Sequence, residues 1–440
     1  MRRIGTGAVV MTLLLALGAS LPSEAGPARP NISKPVREAL GAAQKLLNEG
    51  TFDQALVSAQ AALAAATTDE ERFYVHDTMF PIQLKLKNQA GAADSAEMLV
   101  GSPLLPPDQL QTRQNHVCIL RAQAEQWAQA IAACSTYADK YNDRAVMVNV
   151  AKLYFRQKDW PSVIKWGERA VAGVPNPELD TLRIIAQAYI EQKDNDGIQR
   201  SYEMIVDHHP SNRYWTDLLS VVEMKNRTDP RYVLDIARLR VATGVAEIPG
   251  ELIDLAEAAL KIGLPGEANA VLQRANDAGQ TGTGAVRTAF QATLANARTE
   301  AAADLRSLAA AEAESKKSPK GEPDLRTGEA LASHGRLDQG IAAMQRGIAK
   351  GGLKDATEAR LRLGLAYLAA GKQTEALTEL DAATAGAGLY APVARLWGIH
   401  LRNQVAGTPA TVSEEDAQAA AEAAADAAAE EAAAAANEAE

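Results

Sequence analysis

The chain has 440 residues, of which 47% are hydrophobic and 23% are charged, a composition typical of a soluble globular chain or a long repeat array. Its net charge of −10 argues against a general nucleic-acid-binding surface, because such surfaces are basic. Aromatic residues make up only 5%, and much of the hydrophobic fraction is alanine, which favours closely packed helices over thick β-sandwich cores.

The first 25 residues have the pattern of a cleavable signal peptide. Arg2 and Arg3 precede an uncharged, apolar segment over 4–19, and Ser23 and Ala25 form a small-x-small cleavage site. An uncleaved membrane anchor is the alternative, but the apolar run is shorter than the ~20 residues that a span needs. We therefore expect a mature chain that begins near Gly26, has no membrane span and is exported, with the bacterial periplasm as the natural compartment. Residues 26–35 are predicted to be a flexible leader.

A repeating pattern of small and large residues dominates the rest of the chain. In the clearest copy, Gly364, Tyr367, Gly371 and Ala376 stand at positions 8, 11, 15 and 20 of one unit. The pattern resembles the tetratricopeptide repeat (TPR), a hairpin of two antiparallel helices. Small residues at positions 8 and 20 let the two helices approach closely, and the large residue at position 11 fills the space beside them.

The same frame recurs along the chain, which predicts an all-α, TPR-type α-solenoid; a looser α-solenoid of another family is the alternative. The predicted position-8 residues are Ala43, Leu84, Cys118, Ala151, Ala186, Ser220, Ala256, Gly328 and Gly364. The gap between Ala256 and Gly328 equals two units, so it predicts a degenerate hairpin from Ala285–Asn296 and Thr299–Ser315.

Four regions follow the signal peptide and the leader in this reading. An N-terminal TPR array spans 36–278, and the degenerate hairpin with a hinge spans 279–323. A C-terminal TPR pair with a closing helix spans 324–404, with Leu396, Trp397 and Leu401 turned inward. A linker and an Ala/Glu-rich acidic tail fill 405–440. The segment 414–440 holds nine acidic residues and no basic one, which favours a solvated helical or disordered tail over a partner-binding one.

The sequence contains no catalytic, nucleotide-binding or metal-binding signature. The pair His208-His209 precedes Pro210 and is read as a solvated loop, because a metal site would need a third ligand that is not visible. We expect no cofactor, no metal and no enzymatic activity. An enzyme or enzyme subunit with a site formed between repeats is the rival interpretation.

The resemblance implies a protein–protein interaction scaffold, because TPR arrays bind partners through side chains at positions 2, 5, 9, 12 and 13 of their first helices. Carried over to this chain, these positions and one neighbour give a predicted partner-binding set of Asn115, Asn149, Lys152, Phe155, Arg156, Arg183, Gln187, Asp217 and Met224. The mixture suits an extended peptide or a helix of an envelope protein. Asp180 and Ile184 stand where binding of a C-terminal carboxylate would need basic groups, so that activity is not expected.

Two short segments, 264–268 and 347–354, resemble exported bacterial TPR proteins. Some of these accompany TonB-type energy-transduction systems of the envelope, so an accessory role in such a system is a further alternative.

The two cysteines are predicted to lie on facing helices of one hairpin. Cys118 and Cys134 take positions 8 and 24, and Cβ bonds in antiparallel helices tilt toward each other. An oxidising compartment favours a disulfide, but position 24 lies about one turn off. Two small buried thiols are the alternative.

Overall fold

The structure is a computed structural model that describes residues 31–245 and 249–405. The predicted signal peptide and the predicted acidic tail lie outside the described residues. Within those residues every regular element is an α-helix, which confirms the predicted all-α class. No helix there is long and apolar enough to cross a membrane. The chain divides into two compact units, and the boundary in the sequence lies between Tyr137 and Ala138.

The helices follow one another in short-linked pairs. The first unit contains α1 (Lys34–Asn48), α2 (Phe52–Ala65), α3 (Asp69–Lys85), α4 (Gln89–Val100), α5 (Pro107–Gln123) and most of α6 (Trp127–Tyr141). The second unit contains α7 (Arg144–Arg156), α8 (Trp160–Val171), α9 (Leu179–Gln192), α10 (Asn195–His208), α11 (Asn212–Met224), α12 (Pro230–Ala242), α13 (Pro249–Lys261), α14 (Pro265–Asp277), α15 (Gly284–Lys317), α16 (Glu322–Ser333), α17 (Leu337–Lys350), α18 (Ala356–Ala369), α19 (Gln373–Thr384) and α20 (Tyr390–Val405).

The predicted repeat frame locates the second helix of most hairpins to the residue. Position 17 of the frame, nine residues after position 8, is the first residue of that helix in seven hairpins: Phe52, Trp127, Trp160, Asn195, Pro265, Leu337 and Gln373. The turn before each helix often ends in a side-chain cap; Asp159 and Asp194 accept hydrogen bonds from backbone N–H groups of α8 and α10. Turn chemistry and repeat spacing therefore agree.

One hairpin lies four residues out of the predicted register. Leu84, predicted at the buried position 8, is 42% exposed at the end of α3. Asn88 caps α4 by accepting a hydrogen bond from the Gly91 N–H at 3.0 Å, so α4 begins four residues early and Phe80 takes the buried place. The assignment of Leu84 to position 8 is wrong because the N-cap Asn88 starts α4 four residues before the frame places it.

Close helix approach occurs at the small residues of the frame. A Cβ on Gly364 would lie 3.0 Å from Leu380 Cγ on the facing helix α19, and one on Gly167 would lie 2.6 Å from Ile185 Cγ1 on α9. Ala43 and Ala55 are fully buried between α1 and α2. Any larger side chain at these points would separate the helices, since the interior is close-packed.

The predicted degenerate hairpin in 279–323 is wrong. The segment forms a single 34-residue helix, α15, whose buried residues Phe290, Leu294, Ala297, Ala301 and Leu308 follow one helical face. The residues between the two predicted helices, around Asn296–Glu300, contain no glycine or proline. Nothing there breaks the helix, so the segment that was predicted as one hairpin forms a single long helix.

The second unit closes upon itself, because its C-terminal hairpins return to its early helices. Helix α20 packs against α10 and α12, and α16 packs against α14. One core joins Leu182, Trp215, Tyr232, Leu380 and Trp397. The burial of Leu396, Trp397 and Leu401 agrees with the predicted closing helix. The region 279–323 lies inside this unit, and the Gly321 N–H donates to the Gly351 carbonyl at 2.7 Å, so the predicted hinge is a close-packed junction.

Cys118 on α5 and Cys134 on α6 form a disulfide, with Cα atoms 4.6 Å apart. Both side chains are buried. Of the two arrangements that the sequence left open, the structure has the bonded one.

Candidate functional site

Four of the predicted partner-binding residues lie on α7. Asn149, Lys152 and Arg156 are exposed, and Phe155 is half-buried. The Phe155 ring meets Trp160 edge-on, with ring centroids 5.3 Å apart. The opposite side of α7 carries the buried Ala151, so packing of that side directs this set outward.

Helix α9 adds two predicted residues on a neighbouring surface. Arg183 and Gln187 are half-buried, and α9 contacts α7. The Arg183 guanidinium lies 4.0 Å from the Asp180 carboxylate. The Gln187 amide donates to Glu191 Oε1 at 2.9 Å. The two helices thus present a row of amide and cationic groups, some of them already in local contacts.

The two predicted binding residues of α11 differ in their exposure to solvent. Met224 is 57% exposed. Asp217 is half-buried, and burial raises its pKa, although Arg213 and a hydrogen bond with Tyr202 act in the opposite direction. Burial together with Asp217 raises the pKa of Tyr202 to about 12. Asp217 is therefore engaged with α10, which makes it a weaker candidate for partner contact than the sequence indicates.

Asn115 is separated from the other predicted residues by the division of the chain. It lies on α5 in the first unit, and its Oδ1 is buried without a hydrogen-bond partner. The other eight predicted residues belong to the second unit. Among these, Asn149, Lys152, Phe155, Arg156, Arg183 and Gln187 form the set that we call the α7/α9 face.

The side-chain directions in the hairpins follow one rule. The residues at positions 8 and 20 are buried between paired helices in most hairpins, with Leu84 and Ser220 as exceptions at position 8. Positions 9, 12 and 13 of α7 and position 9 of α9 reach toward the surface. Hairpins with this register recur in both units. The described residues form an all-α array of helix hairpins with the residue spacing of tetratricopeptide repeats.

Comparison with known proteins gives structural similarities at low sequence identity. No protein-family model matches the chain, and no curated protein matches it. A tetratricopeptide repeat protein from Parabacteroides merdae is 8% identical, with a TM-score of 0.29 over 75% of this chain and 99% of that chain. The C-terminal part of a TPR repeat-containing protein from Cytophaga hutchinsonii is 11% identical, with a TM-score of 0.26 over 74% of this chain and 98% of that one. The TPR domain of P58(IPK) is 12% identical, with a TM-score of 0.23 over 85% of this chain and 99% of that one.

A buried cluster of charges joins the early and late helix hairpins of the second unit. Arg362 of α18 is 3% exposed and Asp235 of α12 is fully buried; Arg362 Nη1 contacts Asp235 Oδ1. Arg362 Nε lies 3.1 Å from Glu329 Oε1 of α16 and 3.4 Å from Glu358 Oε1 of α18. We call these four residues the latch cluster.

Other arginines surround the latch cluster and balance its acids. Arg326 donates to both Glu358 oxygens at 2.8 Å, and Arg231 lies 2.9 Å from Glu329. Arg238 pairs with Asp235 at 2.8 Å and with Glu267 at 2.6 Å.

These ion pairs shift the pKa values of Arg362 and Glu358. Burial alone would lower the pKa of Arg362, but Asp235 and Glu329 raise it above its ordinary range. Burial would raise the pKa of Glu358, but Arg326 and Arg362 lower it to about 2. Arg362 and Glu358 are therefore both charged at neutral pH.

Sequence reasoning missed the latch cluster for a physical reason. Glu358 and Arg362 are four residues apart, and Arg326 and Glu329 are three apart, spacings typical of exposed ion pairs on a helix. Glu329, Glu358 and Arg362 are buried because α16 and α18 pack together near Asp235 of α12.

Within the residues that the structure describes, no group of three or more His, Cys, Asp and Glu side chains could hold a metal ion. His209 Nε2 lies 2.8 Å from the Pro177 carbonyl oxygen.

Proposed function

We propose that this TPR array is a protein-interaction scaffold of the bacterial periplasm and that the α7/α9 face captures an extended or helical segment of an envelope protein. The observation that carries the proposal is the row of Asn149, Lys152 and Arg156 on α7 beside Arg183 and Gln187 on α9. These side chains project from first helices, where a repeat array offers its binding groups.

Buried side chains of α7 and α9 fix the backbone beneath this face, which favours recognition of a partner. Val150, Ala151, Leu182, Ile185 and Ala186 are all buried under this face. A rigid surface loses little conformational entropy on binding, so more of the contact energy remains as affinity. The row carries Lys152, Arg156 and Arg183, which favours a partner segment that is apolar with some acidic residues.

The test is a paired charge reversal with a matched control. Arg156→Glu with Arg183→Glu changes the face, whereas Lys165→Glu with Arg227→Glu makes the same change in net charge at exposed positions away from it. A photo-crosslinking residue at position 152 reports capture of the envelope partner. We expect the first pair to reduce crosslinking at least tenfold with an unchanged helical circular-dichroism spectrum, and the control pair to have little effect.

Equal crosslinking by both double variants would contradict the assignment of the α7/α9 face. A third arm deletes Glu414–Glu440. If deletion abolishes capture while the Arg156/Arg183 pair binds normally, the acidic tail is the recognition element instead.

The proposed location rests on the signal-peptide pattern and is tested separately. N-terminal sequencing of protein from fractionated cells is expected to give a start near Gly26 in the periplasmic fraction. A chain that begins at Met1 in the cytoplasm would refute export.

A further inference from the structure

Helix α7 concentrates positive charge on the surface of the second unit. It carries three basic residues, Arg144, Lys152 and Arg156, and no acidic one, and all three side chains are exposed. No other helix that the structure describes has an excess of three basic over acidic residues. Neither the Arg144 guanidinium nor the Lys152 ammonium forms an ion pair within the described part of the chain. A segment that docks on α7 is therefore favoured if it is acidic.

The last described residue lies close to one end of α7. This residue, Val405, ends α20, and Arg402 of the same helix lines a groove of about 590 Å³ together with Gly173 of the α8–α9 turn. Arg144 Nη2 lies 4.0 Å from the position that a Cβ on Gly173 would take. The N-terminal end of α7 therefore adjoins the groove in which α20 ends.

The sequence that follows Val405 supplies an acidic segment of sufficient length. Nine acidic residues and no basic one lie in 414–440. Eight residues, 406–413, stand between Val405 and Glu414, and an extended chain of that length spans up to about 30 Å. The three cations of α7 lie within about 18 Å of one another along the helix axis. The acidic residues can therefore reach all three cations from the end of α20.

The groove at the end of α20 holds no excess of positive charge itself. Three arginines and three acids line it. Arg395 lies 2.9 Å from Glu203, and Arg402 lies 3.1 Å from Asp381. Because the unbalanced cations are on α7, the charges favour α7 over the groove as the docking surface.

We propose that residues 414–440 of this chain dock on α7 and cover the α7/α9 face, so that the acidic tail and a partner segment compete for the same cations. The inference rests on the proposed function, because it assigns a regulator to the same face. A tethered competitor acts at an effective concentration on the order of millimolar. It lowers the apparent affinity for a partner in proportion to the time that it occupies the face. Since the contacts are exposed ion pairs, salt weakens them.

The direct test detects the docked tail in the full mature chain without a partner. A photo-crosslinking residue replaces Asn149, an exposed residue of α7, which leaves the three cations intact. No Lys or Arg follows Arg402, so trypsin releases the tail as the single peptide 403–440. We expect this peptide to be crosslinked to the α7 peptide at low salt, with at least fivefold lower yield in 0.5 M NaCl. The matched control places the same crosslinker at Arg306, which is exposed on α15, and is expected to give no such product.

Two changes test whether charge holds the tail on α7. Arg144→Glu with Arg156→Glu should lower the crosslinking yield at least tenfold. The control pair, Lys165→Glu with Arg227→Glu, makes the same change in net charge at exposed positions outside α7 and α9 and should leave the yield within twofold. Replacement of the nine tail acids by their amides should lower the yield as much as the α7 reversal does. A crosslink that does not form in the unaltered background, or that survives either change, would overturn the proposal.

A mixture of ¹⁴N- and ¹⁵N-labelled chains identifies which chain supplies the tail. We expect every crosslinked pair of peptides to carry a single isotope, because the tail docks on its own chain. Pairs that combine the two isotopes would assign the tail to a second copy and refute the tethered arrangement.

Competition for the face is measured with a fluorescent synthetic peptide of residues 414–440, which stands in for an acidic partner segment. By fluorescence anisotropy, we expect it to bind the full chain with amide-substituted tail at least fivefold more tightly than the wild-type chain. Equal affinities would show that the tail does not occupy the face. These assays contain no envelope partner, so they can fail while the charge reversal of Arg156 and Arg183 still abolishes partner capture, and they can succeed while it does not.

Discussion

Replacement of Arg362 by methionine tests whether the latch cluster holds the second unit closed. Arg362 contacts three acids that belong to α12, α16 and α18, and Arg362→Met preserves much of its length while removing the charge. Loss of one partner from a buried ion pair typically costs about 3–5 kcal/mol. Here the acids keep Arg238, Arg326 and Arg231 as partners. We therefore expect the lower end, a loss of about 3 kcal/mol in the free energy of unfolding.

Urea unfolding of the second unit is the appropriate assay, because four of the five tryptophans, Trp160, Trp166, Trp215 and Trp397, lie in it. The control is Arg402→Met, since Arg402 pairs with Asp381 at 3.1 Å but both side chains are about half exposed, 45% and 62%. An exposed pair contributes less than about 1 kcal/mol.

A double variant separates the ion pair from simple loss of packing. Asp235→Leu with Arg362→Met removes one acid and one base, so the remaining charges stay balanced. We expect the double variant to be at least ~1 kcal/mol more stable than the sum of the single effects allows. Strict additivity, or an Arg362→Met effect no larger than that of Arg402→Met, would refute the latch interpretation.

Three further outcomes follow from single contacts. The pKa of Glu358 is lowered to about 2 in the folded chain. The ionised Glu358 carboxylate therefore contributes fully to the free energy of unfolding above its ordinary pKa, and this contribution is lost as the pH falls toward 2. In acid titrations, the difference in the free energy of unfolding between wild type and Glu358→Gln should shrink over that range. Gly197→Ala places a Cβ against the Tyr189 ring and should lower the free energy of unfolding by about 1–3 kcal/mol. Its control is Gly41→Ala, whose Cβ meets no atom within 4 Å and which should raise the free energy of unfolding by up to about 1 kcal/mol. Equal effects of the two variants in thermal melts would contradict the packing argument. Thiol titration of freshly exported, denatured protein should find no free thiol from Cys118 and Cys134, and reduction should cost about 3 kcal/mol for a loop of this length; two free thiols would rule out the bond.

Local sequence determined the hairpins of this protein. Gly364 with Ala376 and Ala43 with Ala55 mark where two helices touch, because only small residues permit that distance. In seven hairpins the residue nine places after position 8 begins the next helix, as at Trp160 and Asn195. The outward placement of Lys152 and Arg156 follows from the same period. The frame failed at Leu84, where the cap at Asn88 overrode it, and at α15, where no residue broke the helix.

The tertiary structure alone decided how the hairpins of the second unit close. Repeat spacing specifies contacts between neighbours in the chain, but not whether α20 meets α10 and α12. That contact depends on shape and charge that accumulate over many repeats, so no short pattern encodes it. It buries Glu358 and Arg362, which are spaced like a surface pair, and places Arg362 against Asp235. It also brings together the residues that line a pocket beside Trp397, because those residues come from distant segments of the chain.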